Sequence, residues 1–177
     1  MFKIIACINQ KGVLGKDGKL LYNIKNDLAN FARMTKGNVV IMGRLTYESL
    51  PNGEPLKDRI NIILTSNEDY GVDEKFDNVY IAHSVKEVVE LCDAFFSDKE
   101  LFVIGGESVY REFMDEGLVD EMRLTMVKDD SDGDVKFPTY NEDDWFIYYK
   151  TMVQVTSIKG VDKSYYFQIL KKKNLND

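Results

Sequence analysis

The chain opens on Phe2–Ile8, an apolar run broken only by Lys3 and rich in isoleucine. That is the pattern of a strand buried on both faces. Val39–Met42, Ile60–Thr65, Val79–Ala82 and Leu101–Ile104 are shorter apolar runs of the same kind. Helical stretches alternate with them. Asn26–Thr35 reads as one helix, and a turn or two follows Arg44. Ser84, with Glu87 three residues on, predicts a capped helix start, after which Val85, Val88, Val89 and Cys92 form an apolar stripe. Val109, Phe113 and Met114 predict another helix after Gly105-Gly106. The last third changes character: Met122–Val127, Trp145–Val155 and Tyr165–Leu170 are long and rich in aromatic and β-branched residues. Gly160 lies in a turn between the final two and predicts a closing antiparallel hairpin. The pattern is α/β, with one mixed sheet that is mostly parallel early and antiparallel at its C-terminal end. Such sheets bind ligands at the carboxyl ends of their strands. Attention therefore falls on Ile8–Lys19, Gly43-Arg44, Thr65-Ser66 and Gly105-Gly106.

Composition narrows the chemistry. The 177 residues suit one domain, 1–177, and neither an internal repeat nor a low-complexity segment is visible. With 23 basic and 30 acidic residues the net charge is −7, which argues against a broad nucleic-acid-binding surface. No stretch approaches the roughly 18 apolar residues of a membrane span, and the N-terminal run is too short for a signal-peptide core. The expected compartment is the cytoplasm, with Cys7 and Cys92 reduced. His83 is the only histidine, so histidine-rich metal centres and most histidine-dependent triads drop out.

One acid sits where an apolar residue belongs. Ile24, Asp27, Leu28 and Phe31 share a helix face by spacing. Either Asp27 complements the helix dipole, or it lines an apolar pocket where it could bind a cationic or amidine-like group. Gly43-Arg44 and Gly105-Gly106 both follow an apolar run and precede a helix. Each is an ordinary turn or a phosphate cradle, and two on one sheet suit a ligand with several phosphates. Neither a G-x-G-x-x-G nor a Walker pattern is present. Asp129–Asp134 resembles a calcium loop only superficially. With Gly133 at the sixth position, Lys128 and Thr139 fall at the first and twelfth, both wrong for the ion. That stretch reads as an exposed loop without metal.

Taken in order, several segments resemble the dihydrofolate reductase family. They are Ile4-Ile5-Ala6-Cys7, Gly12-Val13-Leu14-Gly15, Asp27-Leu28-x-x-Phe31, Ile41-Met42-Gly43-Arg44-x-Thr46-Tyr47-Glu48-Ser49, Leu56-x-x-Arg59 with Asn61, Val103-Ile104-Gly105-Gly106-x-x-Val109-Tyr110, and Phe137-Pro138. The resemblance runs from residue 2 to about residue 170. It implies a central eight-stranded mixed sheet with four flanking helices and a C-terminal antiparallel hairpin. It also implies hydride transfer from NADPH to C6 of dihydrofolate, with protonation at N5.

The resemblance assigns roles by position. Asp27 would hold the pterin N3 and 2-amino groups, and Thr125 would support it. Arg59 would pair with the glutamate tail. Ile5, Cys7, Leu20, Leu28, Phe31, Leu50, Leu56, Ile104 and Tyr110 would complete the substrate site. The implied cofactor contacts are Cys7, Leu14, Gly43, Arg44, Leu45, Thr46, Leu64, Thr65, Ser66, His83, Ile104, Gly105, Gly106, Glu107, Ser108, Val109 and Tyr110. Arg44 and Ser66 match positions that grip the 2′-phosphate. His83 either helps there or is idle. Cys7 reads as a small wall residue whose thiol, facing the site, would be open to alkylation; Cys92 reads as core. Asn9–Ile24 would form a lid supported by Gly133-Asp134. In place of the family's Pro-Trp pair the chain has Leu21-Tyr22. Leu21 leaves the lid's exit looser, and Tyr22 takes the catalytic position that holds a water against the substrate.

The resemblance also implies dihydrofolate as substrate and antifolates such as methotrexate or trimethoprim as inhibitors; a monomer is the default expectation, and charge and run length argue against a nucleic-acid or membrane partner. Two alternatives remain open on sequence. One is the similar reductase of riboflavin synthesis, against which Asp27 and Arg59 weigh. The other is a catalytically silent folate-binding relative, suggested by Leu21-Tyr22 alone.

Overall fold

The computed structural model describes residues 1–173; the expected domain 1–177 extends over four further residues outside the described ones. Eight strands lie in line. In spatial order they are Trp145–Lys150, Val161–Lys172, Val119–Lys128, Phe2–Asn9, Leu101–Gly105, Val39–Gly43, Ile60–Leu64 and Val79–Ala82. In chain order these are β1 (Phe2–Asn9), β4 (Val39–Gly43), β5 (Ile60–Leu64), β6 (Val79–Ala82), β7 (Leu101–Gly105), β8 (Val119–Lys128), β10 (Trp145–Lys150) and β12 (Val161–Lys172). A ninth strand, β11 (Gln154–Ile158), pairs with the start of β12. Separately, β2 (Val13–Lys16), β3 (Lys19–Leu20) and β9 (Val135–Lys136) form a small three-stranded sheet. The pairings among β1, β4, β5, β6, β7 and β8 are parallel, whereas β12 runs antiparallel to β8, β10 and β11.

The predicted elements are largely present, with shifted ends. Alternation sorts β1 cleanly, as period-two side chains must. Phe2, Ile4, Ala6 and Ile8 join the larger core, and Ile5 joins the smaller one on the other face. Helices α3 (Val85–Phe95) and α4 (Glu107–Asp115) cover the larger core with Val88, Cys92, Val109 and Phe113. On the opposite face lie α1 (Lys25–Thr35) and α2 (Arg44–Glu48), represented there by Phe31, Met34 and Tyr47. Four helices thus flank the sheet, two on each face.

Three details depart from the sequence reading. Trp145–Val155 is not one strand. It breaks at residues 151–153, where the Thr151 hydroxyl accepts the Phe167 N–H in place of a ladder carbonyl. At the start of α3 the Ser84 hydroxyl accepts from the Glu87 N–H as expected, but the Glu87 carboxylate reaches past the cap to the His83 N–H. The expected apolar face of α1 is only partly a core face, since Phe31 packs on the smaller core but Leu28 does not. Ile24 is 1% exposed, yet Leu28 is 41% exposed, because the helix overlooks an open site.

Phe113 anchors α4. Its ring is fully buried and meets Phe2 of β1 edge-on, with centroids 4.9 Å apart. Phe113→Ala should therefore lower unfolding stability by about 3–5 kcal/mol. Urea titration should show a lower midpoint at unchanged slope.

Candidate active site

The site begins where two strands part. Register between β1 and β7 runs from Phe2↔Leu101 to Ile4↔Val103 and stops, while β1 stays paired with β8 as far as Asn9↔Val127. Beyond Ile4 the backbone of β1 has lost its partner on one side. The Tyr110 hydroxyl of α4, itself buried, donates to the Ile5 carbonyl at 2.7 Å and takes up one of the freed groups. Gly105 has φ of +120°, and a Cβ there would press on the Tyr110 hydroxyl at 3.3 Å. A Cβ on Gly43 would come within 3.1 Å of the Val109 side chain. Glycine is what lets the ends of β4 and β7 approach α4 so closely.

The opening is a cleft of about 610 Å³ at the carboxyl ends of β4, β5 and β7. Every residue implied for the cofactor lines it except Cys7, which packs near Tyr22, and Thr65, which is buried behind. Leu20, implied for the substrate, lies here instead and is 68% exposed. Gly15, Gly18 and Lys19 of the expected lid also line the cleft, as do Ser49, Glu112 and Val135, which were not anticipated. Gly106 caps α4 without a side-chain hydrogen bond. The first N–H groups of that helix therefore lack a capping side chain beside a glycine-lined wall, which fits a phosphate group. Arg44 Nη1 lies 3.0 Å from both Glu48 carboxylate oxygens. Since a carbonyl only accepts, the His83 Nδ1 at 3.0 Å from the Thr65 carbonyl carries the proton in that bond, and the residue lines the cleft. Glu107 turns elsewhere: it pairs with Arg111 and accepts the Lys136 N–H of β9 at 3.1 Å.

On the face covered by α1, β-register places Thr125 of β8 beside Cys7 of β1. The Thr125 hydroxyl donates to Asp27 Oδ1 from below the first turn of α1. Burial pushes the Asp27 carboxyl above its ordinary range, and the Thr125 bond draws it part of the way back. Burial, and then the charge of Asp27, push the Cys7 thiol up. Its thiolate is scarce at neutral pH, so the expected alkylation is disfavoured. Ile5, Phe31, Leu50, Leu56 and Ile104 share one apolar cluster on this face. Leu28 stands apart from it, exposed. Arg59 is fixed at the far end of α1: its guanidinium donates to Thr35 Oγ1, the Ala32 carbonyl and the Lys57 carbonyl. Buried Asn61 shapes that turn by bonding the Leu56 N–H and the Leu56 and Arg59 carbonyls.

The segment expected as a lid is folded as β2 and β3 and pairs with β9. The Asp134 N–H donates to the Gly15 carbonyl, and the Asp17 N–H donates to the Asp134 carboxylate. A Cβ on Gly133 would lie 2.3 Å from the Gly15 carbonyl oxygen, so only glycine permits that contact. Sequence reasoning missed two residues here. Asn9 is buried, and its side chain bonds the Lys11 and Val13 N–H groups and the Ser131 carbonyl. Its polar side chain at the end of an apolar strand was the available signal. Asp129 corrects the exposed-loop reading. It is 8% exposed and accepts hydrogen bonds from Tyr22 and Lys163. The Tyr22 hydroxyl therefore points to Asp129, at 2.5 Å, rather than to Asp27. Among the described residues no cluster of three or more His, Cys, Asp or Glu side chains could hold a metal, and no helix is long and apolar enough to cross a membrane.

The raised carboxyl of Asp27 has a consequence for stability. The folded chain holds this proton more tightly than the unfolded chain, so the charged form destabilises the fold. The penalty is full above the folded-state value and vanishes below the unfolded-state value near ~4. Asp27→Asn should therefore unfold at a higher urea concentration than the parent at pH 7. The two midpoints should converge as the pH is lowered toward about 4.

Comparison with known proteins gives a consistent result. Residues 1–172 match the family model described as dihydrofolate reductase. The chain is 32% identical over 174 residues to a dihydrofolate reductase of Bacillus subtilis (strain 168), covering 98% of this chain and 96% of the relative. It is likewise 32% identical over 174 residues to one from Staphylococcus haemolyticus, covering 96% and 94%. A solved structure of dihydrofolate reductase from Enterococcus faecalis, complexed with NADP(H) and RAB-propyl, superposes with a TM-score of 0.82 at 29% identity. That match covers 98% of this chain and 97% of the other.

Proposed function

We propose a reaction for this chain from the fact that it belongs to the dihydrofolate reductase family: it reduces 7,8-dihydrofolate to 5,6,7,8-tetrahydrofolate, with NADPH as cofactor. The observation that carries the residue assignment is the half-buried Asp27 carboxylate, braced by Thr125 beside an apolar wall and next to a glycine-lined cleft. When bound, NADPH supplies the hydride that adds to pterin C6, and N5 takes a proton.

The protein's own part is binding, orientation and electrostatics. Asp27 accepts hydrogen bonds from pterin N3 and the 2-amino group. Thr125 occupies one carboxylate oxygen and fixes the plane in which the other meets the substrate. A negative charge held there also favours the protonated, more electrophilic pterin. Ile5, Phe31, Leu50, Leu56 and Ile104 give the ring system a dry wall, with Cys7, Leu20, Leu28 and Tyr110 at its margins. Arg59 receives the carboxylate of the glutamate tail. Arg44 and Ser66 take the 2′-phosphate, with His83 beside them. The Gly105–Val109 turn and Thr46 receive the pyrophosphate. We assign residues 1–177 to a single domain and the chain to a cytoplasmic monomer that binds antifolates such as methotrexate or trimethoprim. The reductase of riboflavin synthesis fits less well, because Asp27 and Arg59 have no evident role on a ribosylated pyrimidine.

Loss of NADPH absorbance on mixing with dihydrofolate tests the activity; no turnover at high enzyme concentration rejects it. Asp27→Asn should cut kcat/KM at pH 7 by about 100-fold or more, with a smaller loss at acid pH, where the substrate arrives protonated. Arg44→Leu should raise the dissociation constant for NADPH by about 10–100-fold, the worth of a charge-assisted hydrogen bond. Affinity for NADH, which lacks the 2′-phosphate, should change little; equal weakening of both cofactors would remove Arg44 from that role.

A further inference from the structure

Asp129 is the node at which the two ends of the lid meet. Its carbonyl accepts the Gln10 N–H at 3.2 Å, at the start of the lid. Its carboxylate accepts the Tyr22 hydroxyl at 2.5 Å, at the lid's end, and also the Lys163 ammonium and the Ser131 N–H. Between those ends lie Leu14, Gly15, Gly18, Lys19 and Leu20, all on the wall of the cofactor cleft. The Leu21 N–H closes the lid hairpin on the Leu14 carbonyl at 3.0 Å, one residue before Tyr22. Tyr22 is thereby joined, through its neighbour Leu21 and one backbone bond, to Leu14 on the cleft wall.

The node is buried and anchored to a rigid element. The Asp129 side chain is 5% exposed and that of Lys163 is 26% exposed. Lys163 stands on β12, within the hairpin it forms with β11. Burial acts to raise the Asp129 carboxyl, but the bonds from Lys163, Ser131 and Tyr22 outweigh it and hold the group well below the usual carboxylate range. Burial pushes the Tyr22 phenol up, so it stays a donor. Hydrogen bonds to an ionised acceptor are stronger than neutral ones, and a buried carboxylate that loses a donor is left with an uncompensated charge. By contrast, the lid's bonds to Asp134 involve an exposed side chain and a strand edge.

We propose that Asp129 and Lys163 are positioning residues for the reduction, acting through the Tyr22 hydroxyl to hold the lid's exit so that residues 14–20 seat on the cofactor cleft. This rests on the dihydrofolate reductase reading above. Neither residue touches the substrate; Tyr22 serves as the latch rather than as a holder of water. The Leu21-Tyr22 pair that departs from the family's pattern thus gains a function. Without proline to stiffen the exit, a buried ionic hydrogen bond does so.

Three variants test this: Tyr22→Phe, Lys163→Met and, as the conservative control, Lys163→Arg. Tyr22→Phe and Lys163→Met should speed amide exchange of residues 14–20 and weaken NADPH binding by about tenfold, the worth of one charge-assisted bond. They should slow single-turnover hydride transfer, read with deuterated NADPH, by a similar factor. In Lys163→Met the dissociation constant for dihydrofolate should stay within about twofold of the parent. Lys163→Arg should recover most of the loss in all of these. A merely structural pair would lower the melting temperature and leave lid exchange, NADPH affinity and hydride transfer unchanged at a temperature where the variants are folded; that result overturns the proposal. If the parent itself fails to turn over dihydrofolate, the functional reading falls, while exchange and NADPH affinity still decide whether the latch exists.

Discussion

The separation of β1 from β7 beyond Ile4 and Val103 is the constraint on which the site depends. Two buried parallel strands that stop pairing leave polar backbone groups that must find other partners. One is met by the Tyr110 hydroxyl at the Ile5 carbonyl. That bond joins the packing of Val109 and Phe113 in holding α4 against the gap, and α4 brings Gly106 and its helix start to the cleft. On its other edge β1 remains fully paired with β8, which sets Thr125 beside Cys7 and under Asp27. Beyond Ile4, β1 is therefore open on its β7 edge and closed on its β8 edge, with the glycine-lined cleft on the β7 side and the Asp27–Thr125 pair on the β8 side.

Two aspartates, one half-buried and one buried, meet opposite fates on this frame. Asp27 has one hydroxyl donor, and burial dominates, so its carboxyl titrates high. Asp129 has an ammonium, a phenol and a backbone N–H, and these outweigh burial, so its carboxyl titrates low. A carboxylate with unmet hydrogen-bonding capacity beside an apolar wall favours a cationic partner from outside. A carboxylate already surrounded by donors has nothing further to bind and serves to hold segments together. The same residue type is left with unmet hydrogen-bonding capacity in one place and fully engaged in the other because the donors supplied differ.

What the sequence made legible follows from where its patterns are strong. Apolar runs such as Phe2–Ile8 and Val39–Met42 declared their strands, since burial on both faces leaves no polar alternation. Asp27 was legible as an acid among apolar residues at helical spacing. The glycines at 43, 105 and 106 were legible as strand-to-helix turns, and the structure adds the neighbouring atoms that crowd a Cβ at each of them. Asp129 was misread because local composition, five polar residues around it, says nothing of a tyrosine and a lysine brought from elsewhere in the chain. The break after Lys150 was likewise invisible, because Thr151 is a good strand former whose hydroxyl only there substitutes for a carbonyl. Long-range partners, not local propensity, decided both.

The same partner logic bears on how a chain of net charge −7 keeps cationic side chains available for the proposed anionic ligands. Arg44 is held by Glu48 one turn along a short helix, an exposed pair worth only about 0.3–0.5 kcal/mol. A phosphate with more charge and better geometry displaces such a partner at little loss, so the pair keeps Arg44 in place without neutralising it permanently. Arg59 is held differently. Its donors point at the carbonyls of Ala32 and Lys57 and at the Thr35 hydroxyl, and among the described residues no carboxylate pairs with it. Neutral acceptors orient a guanidinium while leaving its charge uncompensated. The nearby Asp58, which would otherwise compete, sits 3.8 Å from Lys36. Local arrangement of partners, rather than the sign of the whole surface, thus leaves both arginines open to an incoming anion.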